Sequence, residues 1–274
     1  MKSRYICPKC RKELVKSGNS YVCPDKHCYD ISTEGYVNLA ANGSFNENSG
    51  DAADTCRARR RFLEAGYYKE LAEKICEMLK NYMPNPENPF IIDAGSGEGY
   101  YSRFVMASFE NSDIYGIDLA KQGVKMAAKF QKNLPLKVHY AVAGIFDMPF
   151  ADESADAVIS VFAPVADAES QRVLKKGGVL IVAGPGKKHL YGLKSMLYDT
   201  PTENEEKIPE YPGFILEESV EVQYEMQLTG PAAQDLFAMT PYFWRSSKEI
   251  REKSEKLENV TTMADFLVKV YIKK

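Results

Sequence analysis

The chain has 274 residues, 45% hydrophobic and 27% charged, which suits one large domain, or one domain with a small appendage, with ample apolar material for a core. Wholesale disorder, a collagen-like repeat and a disulfide scaffold are excluded. No apolar run approaches the roughly 18 residues of a membrane span, and M-K-S-R-Y-I-C-P-K-C at the start lacks the apolar stretch of an export signal, so a cytoplasmic location is expected. The net charge of −3 argues against non-specific nucleic-acid binding by the whole molecule. Its distribution says more: the first thirty residues carry a net +4 and the remainder −7, a basic head on an acidic body that hints at nucleic-acid recognition.

Residues 1–36 read as a small module. Cys7 and Cys10 form a C-x-x-C turn between short strands, and S-Y-V-C-P-D-K-H-C-Y-D repeats the idea with Cys23, His27 and Cys28. About thirty residues cannot bury enough core to fold alone, so a metal staple is expected. Two thiolates from the first turn, with Cys23 and either His27 or Cys28 from the second, would close a tetrahedron that suits structural zinc. Cys56 and Cys76 read as ordinary thiols. Residues 37–56 follow as a linker, their 40–56 stretch poor in aliphatic residues and rich in Asn, Gly, Ser and Asp. Such a linker implies that few core contacts join head and body, so removal of the head should leave cofactor binding by the body intact.

A helical pattern starts at Arg57, with Gly66 a break between two helices and Pro86 a stop. Its arginine run, Arg57, Arg59, Arg60 and Arg61, is placed to meet phosphates. Strand and helix signals then alternate: P-F-I-I-D-A-G, Y-Y-S-R-F-V-M-A-S-F, D-I-Y-G-I-D, K-Q-G-V-K-M-A-A-K-F, K-V-H-Y-A-V, D-A-V-I-S-V-F and G-G-V-L-I-V-A-G. This rhythm predicts an α/β fold with a doubly wound parallel sheet over residues 57–274. Two late alternating runs, S-V-E-V-Q-Y-E-M-Q-L and A-D-F-L-V-K-V-Y-I, would pair antiparallel at its edge.

The loop D-A-G-S-G-E-G-Y-Y (Asp93–Tyr101) joins the first strand of the body to a helix. Its glycines permit a sharp turn and close ligand approach. The spacing differs from the G-x-G-x-x-G of dinucleotide-binding loops, and no G-K-[ST] follows, so it is not a P-loop. The next strand ends in Asp118, placed to accept hydrogen bonds from both ribose hydroxyls of an adenosine. With M-P-F at Met148–Phe150 and L-K-K-G-G, this layout resembles the class I (Rossmann-like) methyltransferases, which use S-adenosylmethionine. In that family an acidic residue often meets the adenine amine near the position of Gly144. Asp147 lies three residues further on, and no adenine contact is assigned here. Strand four ends in S-V-F-A-P rather than [DN]-P-P-[FY], which weakens adenine-N6 and cytosine-N4 targets.

Over nearly its whole length the chain resembles the RlmA-type 23S ribosomal RNA (guanine-N1)-methyltransferases. The resemblance rests on C-P-x-C, Y-V-C-P-x-x-H, E-G-Y-V-N-L, G-D at Gly50, A-R-R-R-F-L-E-A-G-Y-Y, the glycine loop, F-A-P, P-G-K-K-H-L and M-T-P-Y-F-W-R. It implies an N-terminal zinc-ribbon-like domain that helps recognise a hairpin of 23S rRNA, methylation of one guanine at N1, and a homodimer with an RNA cleft. It also implies zinc ligands Cys7, Cys10, Cys23 and His27, and cofactor contacts from Tyr68, the Gly95–Gly99 loop with Glu98, and His189. Asp93 and Asp118 join these from the glycine-loop layout, with Gly95, Gly97 and Gly99 as the turning residues. Trp244 could stack a flipped guanine or anchor the core. No catalytic base is identifiable. Two other readings stand: a small-molecule class I methyltransferase, and a zinc-ribbon RNA-binding protein that has lost activity.

Overall fold

The computed structural model describes residues 2–40, 51–84, 88–134, 137–206 and 208–274. Residues 41–50 of the expected linker, Gly50 among them, and Pro86 lie outside them.

The head contains four short strands, β1 (Lys2–Ile6), β2 (Glu13–Ser17), β3 (Ser20–Val22) and β4 (Cys28–Asp30), paired antiparallel in that order. β5 (Val37–Asn38) leaves the head and joins the large sheet, pairing parallel with a later strand. The start of the expected linker is therefore a strand. The body opens with α1 (Ala53–Glu64) and α2 (Lys69–Tyr82); α1 begins four residues before the expected Arg57. Gly66, at φ +88°, makes the break between them as expected.

Then follow β6 (Phe90–Ala94), α3 (Tyr100–Ser108), β7 (Asp113–Asp118), α4 (Lys121–Phe130), β8 (His139–Val142), β9 (Ala155–Val161), α5 (Asp167–Val173) and β10 (Leu174–Pro185). The chain continues through α6 (Tyr191–Leu197), β11 (Phe214–Thr229), α7 (Gly230–Ala238), α8 (Pro241–Arg245), α9 (Lys248–Ser254) and β12 (Asn259–Lys273). The sheet order is β11-β12-β10-β9-β6-β7-β8-β5. All neighbours from β10 to β5 are parallel, and β12 runs antiparallel to both β10 and β11. The chain winds outward from β6 through β7 to β8, then returns to β9 on the other side of β6. That reversal makes the carboxyl ends of β6 and β9 the place where such sheets take ligands.

Strand residues alternate between two apolar layers, as a period of two requires. Ile91 and Ile114 join the layer with α2, α3 and α4, whereas Phe90, Ile92, Tyr115 and Ile117 face the other side. The crossover from β8 to β9 carries no helix, and the head packs on this second face in its place. Tyr5, Leu14 and Tyr21 of the head share one buried cluster with Phe90, Ile92, Tyr115 and Phe150 of the body. The Tyr5 ring meets Tyr115 edge-on at 4.8 Å and stacks on Phe150 at 5.6 Å. Ile6 N donates to Pro149 O at 2.9 Å, and Arg4 pairs with Asp113. The expectation of few core contacts between head and body is thus overturned. The body's sheet has an uncovered apolar face that the head seals, and the hydrophobic effect holds the two together.

Candidate functional site

In the head, the C-P-K-C turn and the turn after β3 bring four donors together. The ligand atoms of Cys7, Cys10, Cys23 and His27 all lie within 4.8 Å of one another. His27 Nδ1 is 3.4 Å from both Cys7 Sγ and Cys23 Sγ. Cys28 is exposed on β4 and stands outside this group. Three thiols and one imidazole converging in this way match a tetrahedral zinc donor set. Tyr29, which the sequence reading did not single out, places its hydroxyl 3.2 Å from Cys7 Sγ.

At the carboxyl end of β6 the glycine loop is built by exclusion. A Cβ on Gly95 would lie 2.6 Å from the Ala163 Cβ, and one on Gly99 would lie 2.2 Å from the Tyr140 hydroxyl. Both have positive φ, so other residues there would be strained as well as crowded. Among the described residues the space above Gly97 is open, with only Arg59 within 4 Å of a built Cβ. Gly97 N donates to Asp118 Oδ2 at 2.9 Å and Ala120 N to Oδ1 at 2.6 Å. Burial pushes the Asp118 carboxyl up, and these two N–H groups oppose the shift. Each oxygen keeps a lone pair, so the carboxylate can still accept from a pair of hydroxyls. An open backbone beside such a carboxylate fits an adenosyl ribose.

Asp93 and Glu98 serve the loop from behind. Asp93 is buried and accepts from the Ser102 hydroxyl, and burial pushes its carboxyl up to about 7. Glu98 is buried too; it accepts from Tyr100 N at 3.2 Å and faces Arg103. Burial also raises its pKa, against the pull of Arg103.

Tyr68 and His189 meet on the other flank, 121 residues apart in sequence. Asp265 N donates to His189 Nδ1 at 3.3 Å, which puts the imidazole proton on Nε2. Nε2–H then donates to the Tyr68 hydroxyl at 3.2 Å. Burial, helped by nearby Lys194, lowers the His189 pKa to about 3. The ring is therefore neutral, and Tyr68 keeps its own proton free to donate. Phe162 closes the chain of contacts: Ala163 touches Gly95, while the Phe162 ring faces Tyr68 and His189.

The arginine run does not act as one patch. Arg57 pairs with Asp54, Arg61 with Asp235, and Arg60 lies over the Phe130 ring at 4.4 Å. Arg59 comes nearest the glycine loop; it is paired with Asp51 and close to Gly97. Trp244 is 53% exposed on α8, so it is a surface residue and not a core anchor. Asp147 pairs with Arg11 of the head at 2.8 Å.

Comparison with known proteins adds the family. The family described as "RlmA, N-terminal" matches residues 5–40, and that described as "Methyltransferase domain" matches residues 92–182. YxjB of Bacillus subtilis (strain 168), provisionally named a 23S rRNA (guanine-N(1)-)-methyltransferase, is 30% identical over 97% of this chain and 96% of its own length. The chain belongs to the RlmA-type 23S rRNA (guanine-N1)-methyltransferase family. A second relative, the 23S rRNA (guanine(748)-N(1))-methyltransferase of Streptomyces fradiae, is 30% identical over 71% of this chain and 68% of its own. The malonyl-[acyl-carrier protein] O-methyltransferase of Halorhodospira halophila is 25% identical over 46% of this chain and 44% of its own. The RlmA-type relatives thus match the chain over far more of its length than this O-methyltransferase does.

Proposed function

We propose that this protein transfers a methyl group from S-adenosylmethionine to N1 of a guanine in a hairpin of 23S rRNA. The observation that carries the reading is the joint presence of the zinc-ribbon head and the glycine-loop body, matched together at 30% identity along YxjB.

The cofactor, when bound, supplies a sulfonium-activated methyl group, so the protein's task is largely positioning. Asp118 and the open backbone at Gly97 hold the ribose. His189, fixed as the Nε2–H tautomer, orients the Tyr68 hydroxyl so that its proton can meet an acceptor at the amino-acid end. The buried pair keeps water away from that end. Zinc, held by Cys7, Cys10, Cys23 and His27, is structural, because four protein ligands leave no position for substrate.

The RNA reading draws on the head's excess positive charge and on the exposed Trp244 ring. Arg57 and Arg61 could reach phosphates by giving up their acidic partners. A homodimer is part of the same reading. The test is incubation with labelled cofactor and undermethylated 23S rRNA, followed by nucleoside analysis. One-methylguanosine carrying the label is expected; label in another nucleoside, or none, rejects the proposal.

A further inference from the structure

Phe162 occupies a position that its side chain does not favour. It directly follows β9, its backbone has φ +53°, and the residue is 45% exposed. A bulky residue in the left-handed region is a real outlier, held only when its surroundings over-determine it. The surroundings here do so. Phe162 N still donates to Ala183 O at 2.9 Å, so the strand's hydrogen bonding runs on through the strained residue. The Ser160 hydroxyl lies 3.4 Å from the carbonyls of both Ala163 and Pro164. Ala163 fills the space that Gly95 leaves empty. Burial does little to offset the strain, because the residue remains 45% exposed.

The inner side of the ring is backed by three buried rings. Tyr68 lies near-parallel at 6.1 Å, His189 tilted at 5.8 Å, and Phe266 edge-on at 5.9 Å. Among the described residues the other side is open, the residue being 45% exposed. It stands at the carboxyl end of β9, next to the glycine loop and at the sheet's reversal point. A flat, rigid, apolar face fixed here offers no hydrogen bond, and a planar, π-faced ligand covers such a face most completely. The ring lies against Tyr68, where the amino-acid end of the cofactor is placed, which is the end that carries the reactive methyl.

We propose that Phe162 is the platform on which the acceptor purine stacks, setting the plane of the base for in-line attack. The proposal rests on the rRNA reading above for the identity of the base. It assigns Phe162 to orientation of the ring face; discrimination of guanine from adenine falls to groups on the base edge.

The experiment compares the full-length protein with Phe162→Ala, Phe162→Leu, Phe162→Tyr and Phe162→Trp. Each is measured for cofactor affinity by calorimetry, for thermal stability, and for kcat and KM on an undermethylated 23S rRNA fragment. Base–aromatic stacking predicts a fall in kcat/KM of about 5- to 150-fold for Phe162→Ala. Cofactor affinity should fall by much less than kcat/KM, because Phe162 meets the cofactor site only through the rings of Tyr68 and His189. Tyr and Trp should restore most of the loss, and Leu, which fills volume without a π-face, should not. Rescue by Leu as complete as by Tyr would overturn the proposal, since packing alone would explain the effect. So would unchanged kcat/KM in Phe162→Ala, or a cofactor-affinity loss that matches the kcat/KM loss. If the unaltered protein gives no methylguanosine on rRNA yet binds cofactor, the rRNA reading itself fails, and the Phe162 proposal, which takes its base from that reading, is overturned with it. Phe162→Gly gives a check on strain: it should melt above Phe162→Ala, because glycine adopts the left-handed backbone freely, and a lower melting point would remove strain from the argument.

Discussion

Asp118 shows how one side chain can serve both the fold and a ligand. Its oxygens accept the N–H groups of Gly97 and Ala120, so the glycine loop is pinned to β7 before any ligand arrives. Asp118→Ala removes the ribose acceptor and this pin together. Cofactor affinity should fall at least by the cost of a charge-assisted hydrogen bond, about 1.5–3 kcal/mol or roughly 10- to 150-fold. Calorimetry on a variant with native circular dichroism checks this, and unchanged affinity would refute the role. Asp93 gives a prediction in pH. Its folded pKa, raised by burial to about 7, lies above the unfolded value of about 3.9. Between these values the folded state binds more protons than the unfolded one. The stability contribution of Asp93 is therefore fully present in acid, falls as pH rises from about 4 to about 7, and is flat above. Asp93→Asn should remove this slope, seen as a smaller drop in melting temperature between pH 5 and pH 7.5 than in the parent. At this scale the sequence was informative where spacing carries the chemistry: the glycines, Asp118 and the paired ligand turns. Tyr68 and His189, 121 residues apart, were reachable only through the family resemblance. Phe162 stood in the quoted F-A-P motif, but a positive φ has no signature in residue identity when the residue is not glycine.

The strands of the body and its first four helices followed the hydrophobic pattern closely, from the parallel strands β6–β10 to the antiparallel pair β11 and β12, whereas the short helices α5 to α9 were not read from it. Where the reading slipped, a non-local partner decided the outcome. Val37–Asn38 form a strand only because Ala141 and Val142 lie beside them. The arginine run looks cationic along the chain, but Arg61 finds its acid in Asp235, 174 residues away. The head is the element with the sharpest test. The donors converge without Cys28, so the protein purified without chelator should hold close to one zinc per chain. His27→Ala should lose the metal and Cys28→Ser should retain it, measured by elemental analysis. Zinc retained in His27→Ala and lost in Cys28→Ser would reverse the assignment of the fourth ligand.

At the scale of the whole molecule, head and body share one of the two apolar layers, and the candidate metal ligands lie in the head. Tyr5 lies at the centre of the joint: its ring is buried against Tyr21, Tyr115 and Phe150. Its hydroxyl is buried with no hydrogen-bond partner among the described residues. Leaving such a group unsatisfied costs about 1–3 kcal/mol, whereas truncating a large aromatic side chain to Ala costs about 3–5 kcal/mol. Tyr5→Phe should therefore raise the melting temperature and Tyr5→Ala should lower it sharply, though the residue touches no ligand. The same joint decides what chelation does. Independent domains would melt separately, with a chelator abolishing one transition and sparing the other. Here the apolar face of β6 and β7 is sealed by Tyr5, Leu14 and Tyr21, and those residues are held in place by strands that about thirty residues cannot stabilise without metal. Removing zinc should expose Phe90, Ile92, Tyr115 and Phe150 to water, at about 1.5–3 kcal/mol for each side chain fully uncovered. Calorimetry should show a single cooperative transition that a chelator moves downward as a unit, with cofactor affinity weakening in parallel because Asp147 and the β8–β9 crossover lose their contacts with the head. Removal of residues 1–36 should have the same effect in stronger form and leave a body that aggregates. Two transitions, of which only the smaller responds to chelation, would show that the shared cluster does not couple head to body.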